Sequence, residues 1–158
     1  MVRPMILCID DQAEVLAAVT KDLDVLEPLF DIAACDDAAD AREVLGEALA
    51  SGQDVAVIVA DCVMPGEDGV SLLHWVQEDG RLPHARKILL TGQASHDQTI
   101  QAINEAHVDR YVRKPWQSGE LRQAVQESVT HWVFDSGRDW QDYRSVLDQK
   151  VLLNRLHG

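Results

Sequence analysis

The chain has 158 residues, 46% of them hydrophobic, enough for one domain with a buried core and a modest extension. Its 27 acidic residues outweigh 14 Lys and Arg, for a formal net charge of -13, which argues against contact with a nucleic-acid backbone and for a protein or a cation as partner. No apolar run reaches the roughly 18 residues of a membrane span, the N-terminus lacks a signal-peptide pattern, and Cys8, Cys35 and Cys62 lack metal-ligand spacing, so the expectation is a reduced cytoplasmic chain with no membrane contact.

Apolar runs alternate with helical patterns. Met5 to Ile9 reads as a buried strand containing Cys8. Ala13 to Leu26 carries Val15, Leu16, Val19, Leu23 and Leu26 at helical spacing, with Pro28 as the expected stop. Phe30 to Cys35 is a second strand. Asp36 or Asp37 then caps a helix that runs to about Leu49 and breaks at Ser51-Gly52. "DVAVIVAD" is apolar throughout, as a central parallel strand covered on both faces should be. Gly69 to Glu78 is helical, "RKILLTG" is the fourth strand, and Ser95 to Ala106 is a helix with Ile100 and Ile103 facing inward. Asp109 to Val112 is a short fifth strand, and Gly119 to Val133 is the fifth helix.

Five strand-then-helix units predict an α/β fold: a five-stranded parallel sheet, doubly wound in the flavodoxin-like (βα)5 manner, plus a C-terminal helical extension. In such a sheet the functional crevice lies at the carboxyl ends of the strands. The residues at those ends are Asp10 and Asp11, then Asp61, then Thr91, with Lys114 after the fifth strand. Three close carboxylates repel one another unless a cation sits among them, and an all-oxygen donor set suits Mg²⁺. Either Asp10 or Asp11 alone would also serve as a helix cap. Beside Mg²⁺ and a lysine, the Asp61 carboxylate is placed to act as a nucleophile toward phosphorus, with Lys114 and the Thr91 hydroxyl receiving phosphoryl oxygens. Pro65, Gly66 and Gly69 shape the loop that follows.

These pieces, "IDD" at 9 to 11, "DCVMPGEDG" at 61 to 69, "LLTG" at 89 to 92 and "YVRKPW" at 111 to 116, resemble the receiver domain of bacterial two-component response regulators. The resemblance covers about residues 5 to 133, and its last motif is similar to a receiver subgroup with KPW. It implies that Asp61 accepts a phosphoryl group from a sensor histidine kinase or phosphotransfer protein. It implies that Asp11 and Asp61 ligate Mg²⁺, with Asp10 assisting and the backbone carbonyl of Val63 completing the protein ligands. It further implies that Lys114 pairs with Asp61, that Thr91 and Tyr111 are the switch pair, and that the Lys114–Pro115 peptide is cis. The output would pass through the fourth helix, fifth strand and fifth helix to a downstream protein or a fused output domain. Such a switch is not a turnover enzyme. The rival readings are an aspartate-nucleophile phosphohydrolase and a receiver module cut from a larger enzyme such as an HD-GYP phosphodiesterase or a diguanylate cyclase. Val63 stands where such a hydrolase wants a second acid, which counts against the first rival.

The domain is expected to span 1–133, with 134–158 as an amphipathic helical extension. Trp140, Tyr143, Leu147, Val151 and Asn154 follow a 3-4-4-3 spacing. Two uses of this helix stand open: packing back on the receiver, or a short dimer or linker segment, which would make the chain a homodimer. His74, His84, His96, His107 and His131 read as surface residues, not ligands.

Overall fold

In a computed structural model that describes residues 2–92, Ile100 and 102–158, five parallel strands form one sheet in the order β2-β1-β3-β4-β5. The strands are β1 (Met5–Ile9), β2 (Asp31–Cys35), β3 (Val55–Asp61), β4 (Arg86–Thr91) and β5 (Arg110–Arg113). β1 and β3 are buried along their whole length, as their unbroken apolar runs require. The strand order reverses between β1 and β3, and this switch point opens a crevice at their carboxyl ends. Register brings the ends together: Ile9 pairs with Ala60, Asp61 with Leu90, and Thr91 with Arg113.

Helices cover both faces. α1 (Ala13–Asp22) and α5 (Glu120–Asp135) enclose one core around Leu23, Phe30, Ile88 and Trp132. α2 (Ala38–Ser51) and α3 (Gly69–Asp79) enclose the other around Leu45, Ile58, Leu72 and Leu73. Asp37, rather than Asp36, caps α2 by accepting from the Asp40 amide, and Gly52 closes it at φ 76°, where a side chain would be strained.

Several boundaries differ from the sequence reading, three of them for a visible reason. α1 ends at Asp22, well before Pro28: Leu23 leaves helical geometry and a 3-10 turn, Asp24–Leu26, turns both Leu23 and Leu26 into the core. β5 starts at Arg110, because Asp109 is engaged with the start of β4, accepting from the Lys87 amide at 2.7 Å. Of the expected fourth helix, the described portion ends in a π-helical turn, α4 (Ala102–Ala106). Ile100 is 44% exposed rather than inward, while residues 95–99 and 101 and the side chain of Ile103 lie outside the described residues.

The tail is not one helix. After Ser136-Gly137 it forms a 3-10 segment, Trp140–Val146, an extended residue, Leu147, and then α6 (Gln149–His157). Asp139 and Asp148 each cap a separate start, accepting from the amides of Gln141 and Val151. The break lets Tyr143 and Leu152 reach the same core from two directions. Tyr143 packs on Phe30 and Trp132, with ring centroids 5.5 and 6.2 Å apart, and Val146, Leu147 and Leu152 are buried in that cluster. Polar ties fix the arrangement. Thr130 Oγ1 accepts from the Asp148 amide at 2.9 Å and donates to Gln126 O, Arg138 bonds Asp54 at 2.9 Å, and Arg155 bonds Asp135 at 2.5 Å. His131 is therefore not a surface residue: it is half-buried against Arg155, and burial lowers its pKa.

Candidate functional site

Asp10 directly follows β1 and is 1% exposed. Its Oδ1 accepts from the Gln12 amide at 2.8 Å and its Oδ2 faces Lys114. α1 begins after Gln12 with no side-chain cap, so neither Asp10 nor Asp11 serves as one, and the exposed Asp11 points its carboxylate to the same crevice. Asp61 is the last residue of β3 and is also buried.

Lys114 directly follows β5. Its amide donates to Thr91 O at 2.7 Å and its peptide with Pro115 is cis, as expected. Its Nζ lies 3.0 Å from Asp10 Oδ2 and 3.0 Å from Asp61 Oδ1. The bond to Asp61 was anticipated in the sequence; the equal bond to Asp10 was not. Burial disfavours the ammonium, but the two carboxylates outweigh it and hold the Lys114 pKa above its ordinary value. Burial pushes the Asp61 carboxyl up, against the opposing pull of Lys114.

Carboxylate oxygens of Asp10, Asp11 and Asp61 lie within 4.8 Å of one another, the only such convergence of three ligating groups among the described residues. Opposite ligands of an octahedral Mg²⁺ stand about 4.2 Å apart, at twice a metal–oxygen bond of about 2.1 Å. The cluster is therefore close to the size the ion demands, and its donors are of the right hardness.

The loop after Asp61 is held to this spot by Cys62 N–H to Leu90 O at 2.9 Å and Gly69 N–H to Cys62 O at 3.1 Å. Gly69 is obligatory for a reason the sequence did not disclose: a Cβ there would sit 2.0 Å from the Asp61 carbonyl oxygen. Val63 is 59% exposed. Thr91 and Tyr111 are half-buried, Tyr111 against the core on the α2/α3 side, where burial raises its phenol pKa. Among the described residues, its chain neighbours aside, no atom lies within 4 Å of where a Cβ of Gly92 would be.

The family described as "Response regulator receiver domain" matches residues 6–126. The chain belongs to that family. This receiver domain is 32% identical over 128 residues to the hydrogenase transcriptional regulatory protein HoxA of Bradyrhizobium diazoefficiens, covering 81% of the chain and 24% of HoxA. It is 37% identical over 70 residues to the chemotaxis protein CheY of Pseudomonas aeruginosa, covering 44% of the chain and 56% of CheY. The signal receiver domain of an HD domain-containing protein from Pseudomonas fluorescens Pf-5 superposes with a TM-score of 0.72 at 28% identity, over 88% of this chain and 96% of the other. The receiver thus spans about a quarter of the length of HoxA. No helix among the described residues is long and apolar enough to cross a membrane.

Proposed function

We propose that this receiver is a phosphorylation-controlled switch with Asp61 as its acceptor. The observation that carries the reading is the Lys114 ammonium, 3.0 Å from both Asp61 and Asp10, beside a third carboxylate. A phosphohistidine of a sensor kinase or phosphotransfer protein supplies the group: the P–N bond breaks, an Asp61 oxygen forms the new P–O bond, and the imidazole keeps the electron pair and takes a proton. Asp10, Asp11, Asp61 and the Val63 carbonyl would hold Mg²⁺, which supplies positive charge to a phosphoryl oxygen. Lys114 leaves Asp61 for a second oxygen, and the Thr91 hydroxyl serves a third. Water later cleaves the acyl phosphate and restores the carboxylate.

The added charge of nearly two units draws Thr91 inward, and Tyr111 follows into the vacated space. The half-buried position of Tyr111 supports this pairing. The surface of α4, β5 and α5 then presents the state to a downstream protein or a fused output domain. The internal burial of Val146, Leu147 and Leu152 favours a tail that belongs to the receiver over a dimerising coil.

The deciding experiment is labelling with acetyl phosphate and Mg²⁺, read by intact mass. One phosphoryl group per chain, absent in Asp61→Asn, is the expected result. Sustained release of phosphate over many turnovers would assign a phosphohydrolase instead, and no labelling at all would mean a receiver that never takes phosphate.

A further inference from the structure

At the opposite edge of the sheet, where β4 and β5 begin, a cavity of about 210 Å³ opens between α3 and the end of α5. Its wall includes Arg86 and Lys87 of β4, His84 before it, and His107 and Asp109 before β5. Lys87 is out of character for its position. It is 5% exposed, in a strand whose next three residues, Ile88, Leu89 and Leu90, are all fully buried. Its ammonium has three hydrogens to donate. Among the described residues its only partner is Gln77 Oε1, at 2.8 Å, a neutral acceptor.

The acids around the cavity answer this charge only in part: Asp109 attracts it, but among the described residues neither Asp109 nor Asp135 accepts a hydrogen bond from the ammonium. Asp109 is engaged by Arg86 at 3.5 Å and by the Lys87 amide, and Asp135 by Arg155 at 2.5 Å. The charged side chains of the wall itself, Arg86 and Lys87 against Asp109 and Asp135, balance, and Arg155, bonded to Asp135 from outside the wall, adds a further positive charge in a chain of net charge -13. A second donor is also unanswered: Arg86 Nε is buried and has no hydrogen-bond partner among the described residues. A buried ammonium with one neutral acceptor is costly unless a counter-charge completes it. Burial accordingly holds the Lys87 pKa below its ordinary value. The histidines and acids of this wall do not converge as cation ligands: among the described residues only Asp10, Asp11 and Asp61 do so.

We propose that this cavity binds a small oxyanion, a carboxylate or a phosphate, with Lys87 Nζ as its charge partner and Arg86 Nε as a further donor. Its volume admits an ion of a few heavy atoms, not a nucleotide. The site is separate from the Asp61 cluster and does not depend on the role proposed there.

The test is a titration of the full chain, free of Mg²⁺, with inorganic phosphate and in parallel with acetate. Ionic strength and pH are held fixed, with chloride as the control, and amide and lysine ammonium resonances are read by NMR. Saturable shifts at residues 84–87 and 107–109, preserved in Asp61→Asn, are expected with at least one of the two anions. A response to phosphate alone assigns a phosphoryl ligand, and a response to acetate a carboxylate. Lys87→Met should weaken binding about tenfold or more, the loss of a charge-assisted hydrogen bond, with Lys87→Gln as a second variant that keeps a polar tip. The shift of the Lys87 ammonium in the parent chain decides the matter even if both variants misfold. No saturable response to either anion, an unchanged response in Lys87→Met, or shifts confined to the Lys114 end would overturn the proposal.

Discussion

Lys114 Nζ sits 3.0 Å from Asp10 Oδ2 and 3.0 Å from Asp61 Oδ1, so one ammonium joins the ends of β1, β3 and β5. Before any divalent ion arrives, this side chain is what keeps two buried like charges in one place. Replacing it by Met should destabilise the metal-free chain by about 2 kcal/mol, below the full cost of breaking a buried ion pair because the site is open on one side. Urea unfolding in EDTA, compared with unfolding in millimolar Mg²⁺, measures this. Mg²⁺ should recover most of the loss in Lys114→Met and none in a variant that also carries Asp11→Asn and Asp61→Asn.

Gly69 is fixed by the Asp61 carbonyl. In Gly69→Ala the new methyl would stand 2.0 Å from that oxygen and 2.9 Å from its carbon, both backbone atoms. The start of α3 must move, at a cost of about 2–3 kcal/mol in the range of overpacked sites. The acceptor loop moves with it, so the acetyl phosphate labelling rate should fall in step with the urea midpoint. A variant of unchanged stability and labelling would contradict the contact.

Val63 stands two residues after the proposed acceptor with 59% of its surface open. With Asp61 as the proposed acceptor, an apolar side chain there would stand beside the path of the attacking water. Val63→Asn should shorten the lifetime of the phosphorylated form, measured as decay after removal of acetyl phosphate. A slower decay would count against the arrangement.

Burial raises the Cys8 and Cys35 thiols to about 12, against an ordinary value of 9.0. The sign follows from proton counting. Between pH 9 and 12 the unfolded chain has lost these protons while the folded chain keeps them. Unfolding therefore gains as pH rises, by up to about 1.4 kcal/mol per pH unit for each thiol. The stability curve should bend downward above pH 9, and Cys8→Ala with Cys35→Ala should flatten that bend. At neutral pH all three thiols, including buried Cys62, should resist iodoacetamide until the chain is unfolded.

The tail should behave as part of the receiver's core. Thr130→Val removes the hydroxyl that joins Gln126 O to the Asp148 amide and should cost about 1–2 kcal/mol, a lost bond plus an unanswered amide. Removal of residues 136–158 uncovers Phe30, Val133 and Trp132. A lower melting temperature and binding of a hydrophobic dye are expected, against an unchanged profile if the tail is merely an appendage.

Much of this architecture was legible in the sequence because single physical rules dominate it. An apolar run such as "VAVIVAD" has few alternatives to a doubly covered strand, and carboxylates at strand ends announce their own crevice. The parts that were not legible depend on contacts between distant segments. The 3-4-4-3 spacing from Trp140 to Asn154 fits one helix, but Asp139 and Asp148 cap two, and tertiary packing of Tyr143 and Leu152 decides between them. Pro28 looked like the stop for α1, although the core's demand on Leu23 and Leu26 ends the helix sooner. The bond from Lys114 to Asp10 spans 104 positions, and nothing local encodes it. The demand on Gly69 is likewise invisible until Asp61's carbonyl is seen beside it.

Two of the tail's polar anchors, Arg138 on Asp54 and Arg155 on Asp135, lie at the end of the fold where the strands begin. β3 alone separates that end from Asp61 by seven residues, about 23 Å of extended chain. At physiological ionic strength a surface charge is felt over only about 8 Å. Buried Asp61 is screened less than a surface charge, yet over about 23 Å at an effective dielectric of about 20 a unit charge at this proposed acceptor acts on the anchors with under about 1 kcal/mol. A change at the acceptor would reach the tail mainly as a mechanical displacement of the elements it packs on, α5 and the Phe30 and Asp54 segments, so loosening α5 should alter the tail while leaving labelling at Asp61 as it was.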